Sequence, residues 1–234
     1  MNERDNSSSL RSPGLLAKKP IIGFLMFFIS LIIFAALAYN LANNGPLIKW
    51  DLSVNEYFHN FALNSSTLMT QIMVAGYYIG LEGIIIAEVL LGGYFFFKKS
   101  WREFAMSGVV FIGGGLLFKI LSQIFMRPRP FTLFDKLIWA GSPNIPGFPS
   151  GHALNIILVC GILIYLFFPK IKSPGRKFIM ILVSLLVILY ISLSRLYVGD
   201  HYLTDIIAGY AIGIAWFGLA CTSIELLFKK YKKV

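Results

Sequence analysis

Residues 20–41 read PIIGFLMFFISLIIFAALAYNL and carry no charged side chain. An α-helix needs about 20 consecutive apolar residues to cross a bilayer, so this stretch predicts a membrane-spanning helix. A cleaved signal peptide is the alternative, because Lys18 and Lys19 precede the stretch and Ala36–Ala38 resembles a cleavage site. The apolar stretch is long for a signal peptide, which favours a retained first helix.

Apolar runs recur along the rest of the chain, of which 57% is hydrophobic and 14% charged. A soluble domain carries about 25% charged residues, so the composition indicates a membrane protein. We predict an all-α, polytopic protein with six transmembrane helices in one domain, residues 20–234, after a poorly ordered cytoplasmic tail, residues 1–19. The fourth and fifth runs are short, so we expect them either to extend into the flanking motif residues or to thin the local bilayer. The predicted spans are Pro20–Leu41, Met73–Phe97, Phe104–Phe125, Ala153–Phe168, Phe178–Leu193 and Asp205–Leu227.

The net charge of +10 does not indicate a nucleic-acid partner, because the basic residues form short clusters between apolar runs instead of a stripe on a soluble face. Most of them fall on one side of the predicted topology, which places both termini in the cytoplasm. These clusters are Arg4, Arg11, Lys18 and Lys19; Lys98, Lys99 and Arg102; Lys170, Lys172, Arg176 and Lys177; and Lys229, Lys230, Lys232 and Lys233. The exceptions, which need another reason, are Lys49, Lys119, Arg127, Arg129, Lys136 and Arg195.

Three segments fall on the opposite, non-cytoplasmic side. The first, from Ala42 to about Gln71, contains an amphipathic stretch, Val54–Phe61, that we expect to lie at the membrane interface. The second, Met126–His152, is rich in proline and glycine, and the third, Arg195–Thr204, leads into the last helix.

The segment Phe148–His152 leads into the fourth span. Ser150 and Gly151 at a helix start leave backbone N–H groups pointing outward, where the helix dipole also favours an anion. His152 then lies in the first turn beside that anion. A capped helix start with an incidental histidine is the competing interpretation.

The segment Ser194–Asp205 places His201 and Asp205 four residues apart, on one face of a helix. A carboxylate at one imidazole nitrogen fixes the tautomer and leaves the other nitrogen available to attack an electrophile. Arg195 offers a planar set of donors that suits phosphate oxygens. A surface ion pair at the start of the last helix is the alternative, but the membrane makes such clustered charge expensive.

Lys119 lies inside the third span, and the loop after it contains Arg127–Pro128 and Arg129–Pro130. Lys119 could simply extend its ammonium group to the interface. With two arginines beyond it, whose backbones the prolines restrict, a pocket for a polyanion is the better interpretation.

These three segments together resemble the signatures of the type 2 phosphatidic acid phosphatase superfamily. That group includes lipid phosphate phosphatases, undecaprenyl pyrophosphate phosphatases, glucose-6-phosphatase and vanadium haloperoxidases. The first signature departs from the family pattern, in which the lysine usually precedes the Arg–Pro arginine by seven positions. Here Lys119 precedes Arg127 by eight and Arg129 by ten, and Ser122 stands seven before Arg129. Arg129 is favoured for the family role, and Arg127 stays open.

The resemblance implies that His201 is the nucleophile, that Asp205 orients it, and that His152 is the general acid and then the base. It also implies that Lys119, Arg129 (or Arg127), Arg195, Ser150 and Gly151 hold the phosphoryl oxygens. No carboxylate cluster suited to a hard cation lies near the motifs, so we expect no metal and no cofactor.

The function implied is a membrane lipid phosphatase with its site on the non-cytoplasmic side of the cell membrane. Phosphatidylglycerophosphate and undecaprenyl pyrophosphate are the expected substrates, nearly equally favoured. A flippase or transporter that binds a lipid headgroup without hydrolysis would explain the cations but does not need two histidines. A vanadate-dependent haloperoxidase is disfavoured because the chain lacks a soluble helical bundle.

Overall fold

The computed structural model describes residues 14–134, 138 and 145–231. The predictions made for Arg4, Arg11, Lys136, Lys232 and Lys233, and for most of the predicted tail, lie outside these residues. The helices are α1 (Leu15–Lys18), α2 (Pro20–Ala42), α3 (Leu47–Leu63), α4 (Thr67–Tyr78), α5 (Ile84–Phe97), α6 (Trp101–Phe125), α7 (Gly151–Phe167), α8 (Pro174–Tyr197) and α9 (Leu203–Tyr231). A π-helical turn, Ile79–Gly83, joins α4 to α5, so these two helices form one continuous segment.

The described residues contain six helical segments long and apolar enough to cross a membrane, which confirms the predicted all-α, six-span architecture. The fourth and fifth spans extend beyond their apolar runs, as predicted. Helix α7 begins at Gly151, and helix α8 continues to Tyr197. Large apolar side chains cover the outside of the bundle; Phe97 and Ile112, for example, are 83% and 69% exposed. Such a surface is stable in lipid but not in water. The candidate spans are Pro20–Ala42, Thr67–Phe97, Trp101–Leu133, Gly151–Lys170, Pro174–Tyr197 and Leu203–Lys230.

Helix α9 is the centre of the bundle because small residues let its neighbours approach closely. A Cβ atom on Gly218 would lie 2.7 Å from the carbonyl oxygen of Gly23 in α2. A Cβ atom on Gly209 would lie 2.5 Å from the carbonyl oxygen of Ser150, at the start of α7. The beginnings of α7 and α9 are therefore held against each other.

The beginning of the described chain differs from the predicted disordered tail. Leu16 and Ala17 of α1 are buried, and the backbone N–H of Gly14 donates to Glu225 of α9 over 3.2 Å. The apolar sequence Leu15–Ala17 explains the difference, since it gains by packing on the bundle.

Helix α3 contains the predicted amphipathic stretch but is longer, and two of its polar residues point inward. Asp51 and Asn55 are buried, whereas Trp50, Leu52 and Tyr57 are exposed. A buried carboxylate needs partners, and those of Asp51 belong to the cluster of motif residues. The expectation of a stretch at the interface therefore misses the main contact of this helix.

Candidate active site

The motif residues meet at the end of the bundle where α6 and α8 end and α7 and α9 begin. A backbone hydrogen bond of 2.9 Å, from Ser150 N–H to the carbonyl oxygen of Asp205, joins the second and third motifs directly. A second one, of 2.8 Å, runs from Phe131 N–H to the carbonyl oxygen of Gly199 and ties the Arg–Pro loop to the turn before α9. Gly199 has φ of +70°, a conformation that favours glycine.

His201 is buried, and its two ring nitrogens have different surroundings. Nδ1 lies 2.8 Å from the carbonyl oxygen of Gly147 and 3.9 Å from Oδ2 of Asp205. Because a carbonyl oxygen can only accept, Nδ1 carries the proton and Nε2 presents its lone pair. Nε2 makes no hydrogen bond to the described residues. Gly147 therefore shares with Asp205 the orienting role predicted for the carboxylate alone.

His152 faces His201 from the first turn of α7. The two ring centroids are 5.8 Å apart at an angle of 68°, and Nε2 of His152 also lacks a hydrogen-bond partner among the described residues. Tyr77 of α4 packs on the other side, with a centroid distance of 5.4 Å. At Gly80, in the π-helical turn, a Cβ atom would lie 3.0 Å from the His152 ring, so the chain approaches this histidine closely.

Arg129 and Arg195 meet at one carboxylate, that of Asp200, which the sequence did not single out. Arg129 donates from Nη1 to Oδ1 of Asp200, and Nη1 of Arg195 lies 3.5 Å from Oδ2. Oδ2 is also 3.7 Å from Nε2 of His201. Burial alone would raise the pKa of Asp200, but the positive charge of its neighbours, Arg129 and Arg195 among them, outweighs burial and lowers the pKa to about 2. Asp200 is therefore ionised.

Arg127 lies behind His201 and not beside Asp200. Its Nη1 donates to Asp205 over 2.5 Å and its Nη2 to Asp51 over 2.8 Å, while its guanidinium carbon lies 3.9 Å from the Tyr202 ring centroid. Asp51 also accepts from the backbone N–H of Thr204 over 3.0 Å. This arrangement occupies Arg127 with two carboxylates, so it fits an orienting role better than the phosphate contact left open by the sequence.

Ser150 and Gly151 begin α7 as predicted. The hydroxyl of Ser150 accepts a hydrogen bond of 3.3 Å from Ala153 N–H, so Ser150 caps the helix. The capped start and the facing histidine thus occur together, and the two competing interpretations of this motif are compatible.

Lys119 is exposed on α6, and its ammonium group makes no ion pair or hydrogen bond with the described residues. Ser122, seven before Arg129, is buried, and its hydroxyl donates to the carbonyl oxygen of Lys119 over 3.0 Å. The described structure therefore unites His152, His201, Asp205, Arg127, Arg129, Arg195, Ser150 and Gly151, and leaves Lys119 outside.

Asp51, Asp200 and Gly147 are the contributors that sequence reasoning missed. The two buried polar residues of α3, Asp51 and Asn55, stand four residues apart, a spacing that places them on one face of a helix. Asp200 directly precedes the predicted nucleophile, so its position was a signal that went unused. The carbonyl of Gly147 leaves no signature, since every residue carries one.

His152, Asp200 and His201 also place ligand-type atoms within 4.8 Å of one another, a spacing that could hold a metal ion. The surroundings fit such an ion poorly, because Arg129 and Arg195 contact the same carboxylate and would repel a cation. The same two arginines suit an anion that carries several oxygens.

Comparison with known proteins identifies the family of this chain. Residues 104–228 match the model of the PAP2 superfamily. Phosphatidylglycerophosphatase B of Bacillus subtilis (strain 168) is 28% identical over 155 residues, 64% of this chain and 73% of that protein. The undecaprenyl-diphosphatase of Sulfolobus acidocaldarius is 28% identical over 131 residues, 55% of this chain and 58% of that protein.

Two crystal structures share the fold. A transmembrane PAP2-type phosphatidylglycerolphosphate phosphatase from Bacillus subtilis superposes with a TM-score of 0.63 at 22% identity, covering 90% of this chain and 96% of that chain. Aquifex aeolicus LpxE superposes with a TM-score of 0.53 at 23% identity, covering 74% and 93%.

The fold and the site define a multi-pass membrane hydrolase whose buried histidines face an arginine-rich anion pocket. The chain belongs to the PAP2 superfamily. It is a membrane lipid phosphatase of that superfamily, which confirms the family and function predicted from the motifs.

Proposed function

We propose that this chain removes the terminal phosphate from a lipid phosphomonoester or pyrophosphate, with His201 as the nucleophile and His152 as the proton carrier. The proposal rests on one relation: Nε2 of each histidine makes no hydrogen bond to the described residues, and the two ring centroids lie 5.8 Å apart. A phosphoryl group between them meets a nucleophile on one side and an acid on the other.

In the first step, the Nε2 lone pair of His201 forms a bond to phosphorus while the bond from phosphorus to the lipid oxygen breaks. His152 donates its proton to that oxygen, so the lipid leaves as an alcohol, or as a monophosphate when the substrate is a pyrophosphate. The proton stays on Nδ1, which donates it in a hydrogen bond to the carbonyl oxygen of Gly147, and Asp205, 3.9 Å away, stabilises the positive ring. Arg129 and Arg195 balance the charge that develops on the equatorial oxygens.

In the second step, His152, now neutral, takes a proton from water as the water oxygen attacks phosphorus. The bond from phosphorus to Nε2 breaks, inorganic phosphate leaves, and His201 regains its lone pair. Each histidine ends in its starting protonation state, and the balanced reaction consumes one water.

The site faces the non-cytoplasmic side in this proposal. The basic clusters at the α5–α6 connection, at the α7–α8 connection and in the last turn of α9 (Lys229 and Lys230) all lie at the end of the bundle opposite the site. Cytoplasmic loops carry such an excess of lysine and arginine. In this orientation the chain begins in the cytoplasm, and residues 1–19 contribute further basic residues to that side.

Phosphatidylglycerophosphate and undecaprenyl pyrophosphate are the two candidate substrates, and both are named by relatives at 28% identity. Phosphate release from each lipid in mixed micelles ranks them. If the folded protein releases phosphate from neither lipid, the result favours a transporter that binds the headgroup without hydrolysis.

The chain supplies a matched control, because it has three histidines and His59 lies outside the site, stacked on Phe134 at 3.8 Å. We expect His201→Asn and His152→Gln to lose nearly all turnover, and His59→Gln to keep it. With p-nitrophenyl phosphate, whose leaving group needs no proton, His152→Gln should release one burst of nitrophenol and retain a phosphorylated His201. If the His152→Gln protein became phosphorylated on a residue other than His201, the assignment of His201 as the nucleophile would be refuted.

A further inference from the structure

The Asp200 carboxylate lies at the centre of the cations and imidazoles described above. One oxygen accepts from Arg129, and the other lies 3.5 Å from Nη1 of Arg195 and 3.7 Å from Nε2 of His201. The residue is fully buried. An anion with two oxygens on two arginines, beside the nucleophilic nitrogen, has the contacts that a phosphoryl group requires.

The substrate needs the same place. For in-line attack, phosphorus must come within about 3–3.5 Å of the nucleophilic nitrogen. Its oxygens must also contact Arg129 and Arg195 if these groups are to stabilise the transition state. A carboxylate oxygen that already lies 3.7 Å from Nε2 leaves no room for a phosphorus atom and its oxygens in that direction.

We propose that Asp200 is an internal anion that occupies the phosphoryl subsite until substrate arrives and that weakens the binding of every phosphate group there. The inference rests on the proposed function, since it takes His201 as the nucleophile. Asp200 thereby becomes a residue that determines affinity, and the class of ligand it competes with is a tetrahedral oxyanion such as phosphate.

Two physical consequences follow from this arrangement. Arg129 and Arg195 keep a counter-ion when no phosphate is bound, which avoids the cost of burying unpaired charge. The displaced carboxylate stays close to the phosphate and repels it, which favours release of the inorganic product. Asp200 does this across the physiological range, since neighbouring cations keep it ionised.

The test measures competitive inhibition by inorganic phosphate and by vanadate, in detergent and excess EDTA, for the wild type and for Asp200→Asn. The asparagine keeps the shape and removes the charge. Since the Asp200 carboxylate and a bound oxyanion repel each other, we expect both inhibitors to bind Asp200→Asn about tenfold or more tightly. Asp200→Glu keeps the charge and should show no such gain.

The matched control is Asp51→Asn, which also removes a buried carboxylate that pairs with an arginine. Because Asp51 contacts Arg127 and not Arg129 or Arg195, this change should not tighten inhibitor binding. Equal or weaker phosphate binding by folded Asp200→Asn, with a loss confined to kcat, would show that Asp200 positions the site instead of competing for it.

A structure of the wild type with vanadate provides a second measurement if Asp200→Asn does not fold. We expect the oxyanion between Arg129 and Arg195, with the Asp200 carboxylate withdrawn from both. A carboxylate that still bridges the two arginines beside bound vanadate would overturn the inference. Failure of the proposed function differs from either result, because wild-type protein would then release no phosphate from any lipid.

Discussion

Arg127 and Arg129 are only two residues apart, yet their guanidinium groups contact different aspartates. Arg127 binds Asp205 and Asp51 behind the nucleophilic histidine, and Arg129 binds Asp200 in front of it. Extended backbone at Arg129, with φ of −79° and ψ of 148°, and a proline after each arginine separate the two directions. The repeated Arg–Pro unit thus supplies one residue to orient the catalytic pair and one to bind the oxyanion.

This division predicts different effects of two similar substitutions. Arg129→Gln removes a direct oxyanion contact, so we expect kcat to fall by about 10²–10³-fold. Arg127→Gln leaves two buried carboxylates without their cation, which should lower the free energy of unfolding by about 3–5 kcal/mol. Steady-state kinetics and thermal unfolding in detergent measure both quantities. The two roles would be reversed if both variants lost similar stability and Arg127→Gln weakened phosphate affinity more than Arg129→Gln did.

Lys119 provides a prediction of a small effect. Exposed charge pairs contribute only about 0–1 kcal/mol, so Lys119→Ala should lower kcat/KM by no more than about fivefold. The measurement is phosphate release from lipid in micelles. The variant for comparison is Arg195→Ala, which removes a buried guanidinium at the pocket and should lower kcat/KM far more. A loss for Lys119→Ala as large as that for Arg195→Ala would place the ammonium group at the substrate.

Asp51 should affect turnover although it lies outside the predicted reacting groups. It shares Arg127 with Asp205 and accepts from Thr204 at the start of α9. Losing a partner that orients a reacting group typically costs about 10–100-fold, so we expect Asp51→Asn to reduce kcat by that factor with little change in KM. Glu56→Gln, on the exposed face of the same helix, is the control. A change confined to KM would contradict an orienting role.

Hydrolysis should not depend on a divalent metal ion. Asp200 contacts two arginines, and Asp51 and Asp205 are engaged by Arg127, so these carboxylates already have cationic partners. We expect phosphate release in excess EDTA to equal that in untreated protein. Loss of activity in EDTA that Mg²⁺ or Zn²⁺ restores would instead favour a metal held by His152, Asp200 and His201.

The ion pairs of Asp200 should stabilise the fold in a pH-dependent way. Its pKa is about 2 in the folded protein, below the value of about 3.9 in an unfolded chain. A lowered pKa means that the stabilisation is complete above about pH 4 and is lost as the pH falls toward 2. The difference in melting temperature between wild type and Asp200→Asn should therefore narrow over this interval. A difference that stays constant down to pH 2 would show that the charge contributes nothing.

Local patterns were enough to predict most of the architecture. Hydropathy identified six spans because a segment inside the bilayer must form its backbone hydrogen bonds within its own helix, so each span is a continuous apolar run. The four-residue spacing of His201 and Asp205, and the helix start at Ser150–His152, are also local, so the motifs singled out two imidazoles that the structure brings together. The length of α3 and the order at Leu15–Lys18 were underestimated, because their burial depends on partners far away in the chain.

What the amino-acid sequence determined by itself is therefore the membrane fold, the family and the two histidines, since each depends on residues close together in the chain. Only the tertiary structure decided which carboxylate each arginine binds, that Asp51 joins them, and that Lys119 stays outside. The pairings of Arg127 and Arg129 join residues more than 70 positions apart, as Arg129–Asp200 and Arg127–Asp51 do. They exist because the glycines of α9 let helices from the whole chain meet at one end of the bundle, a packing that no local period encodes.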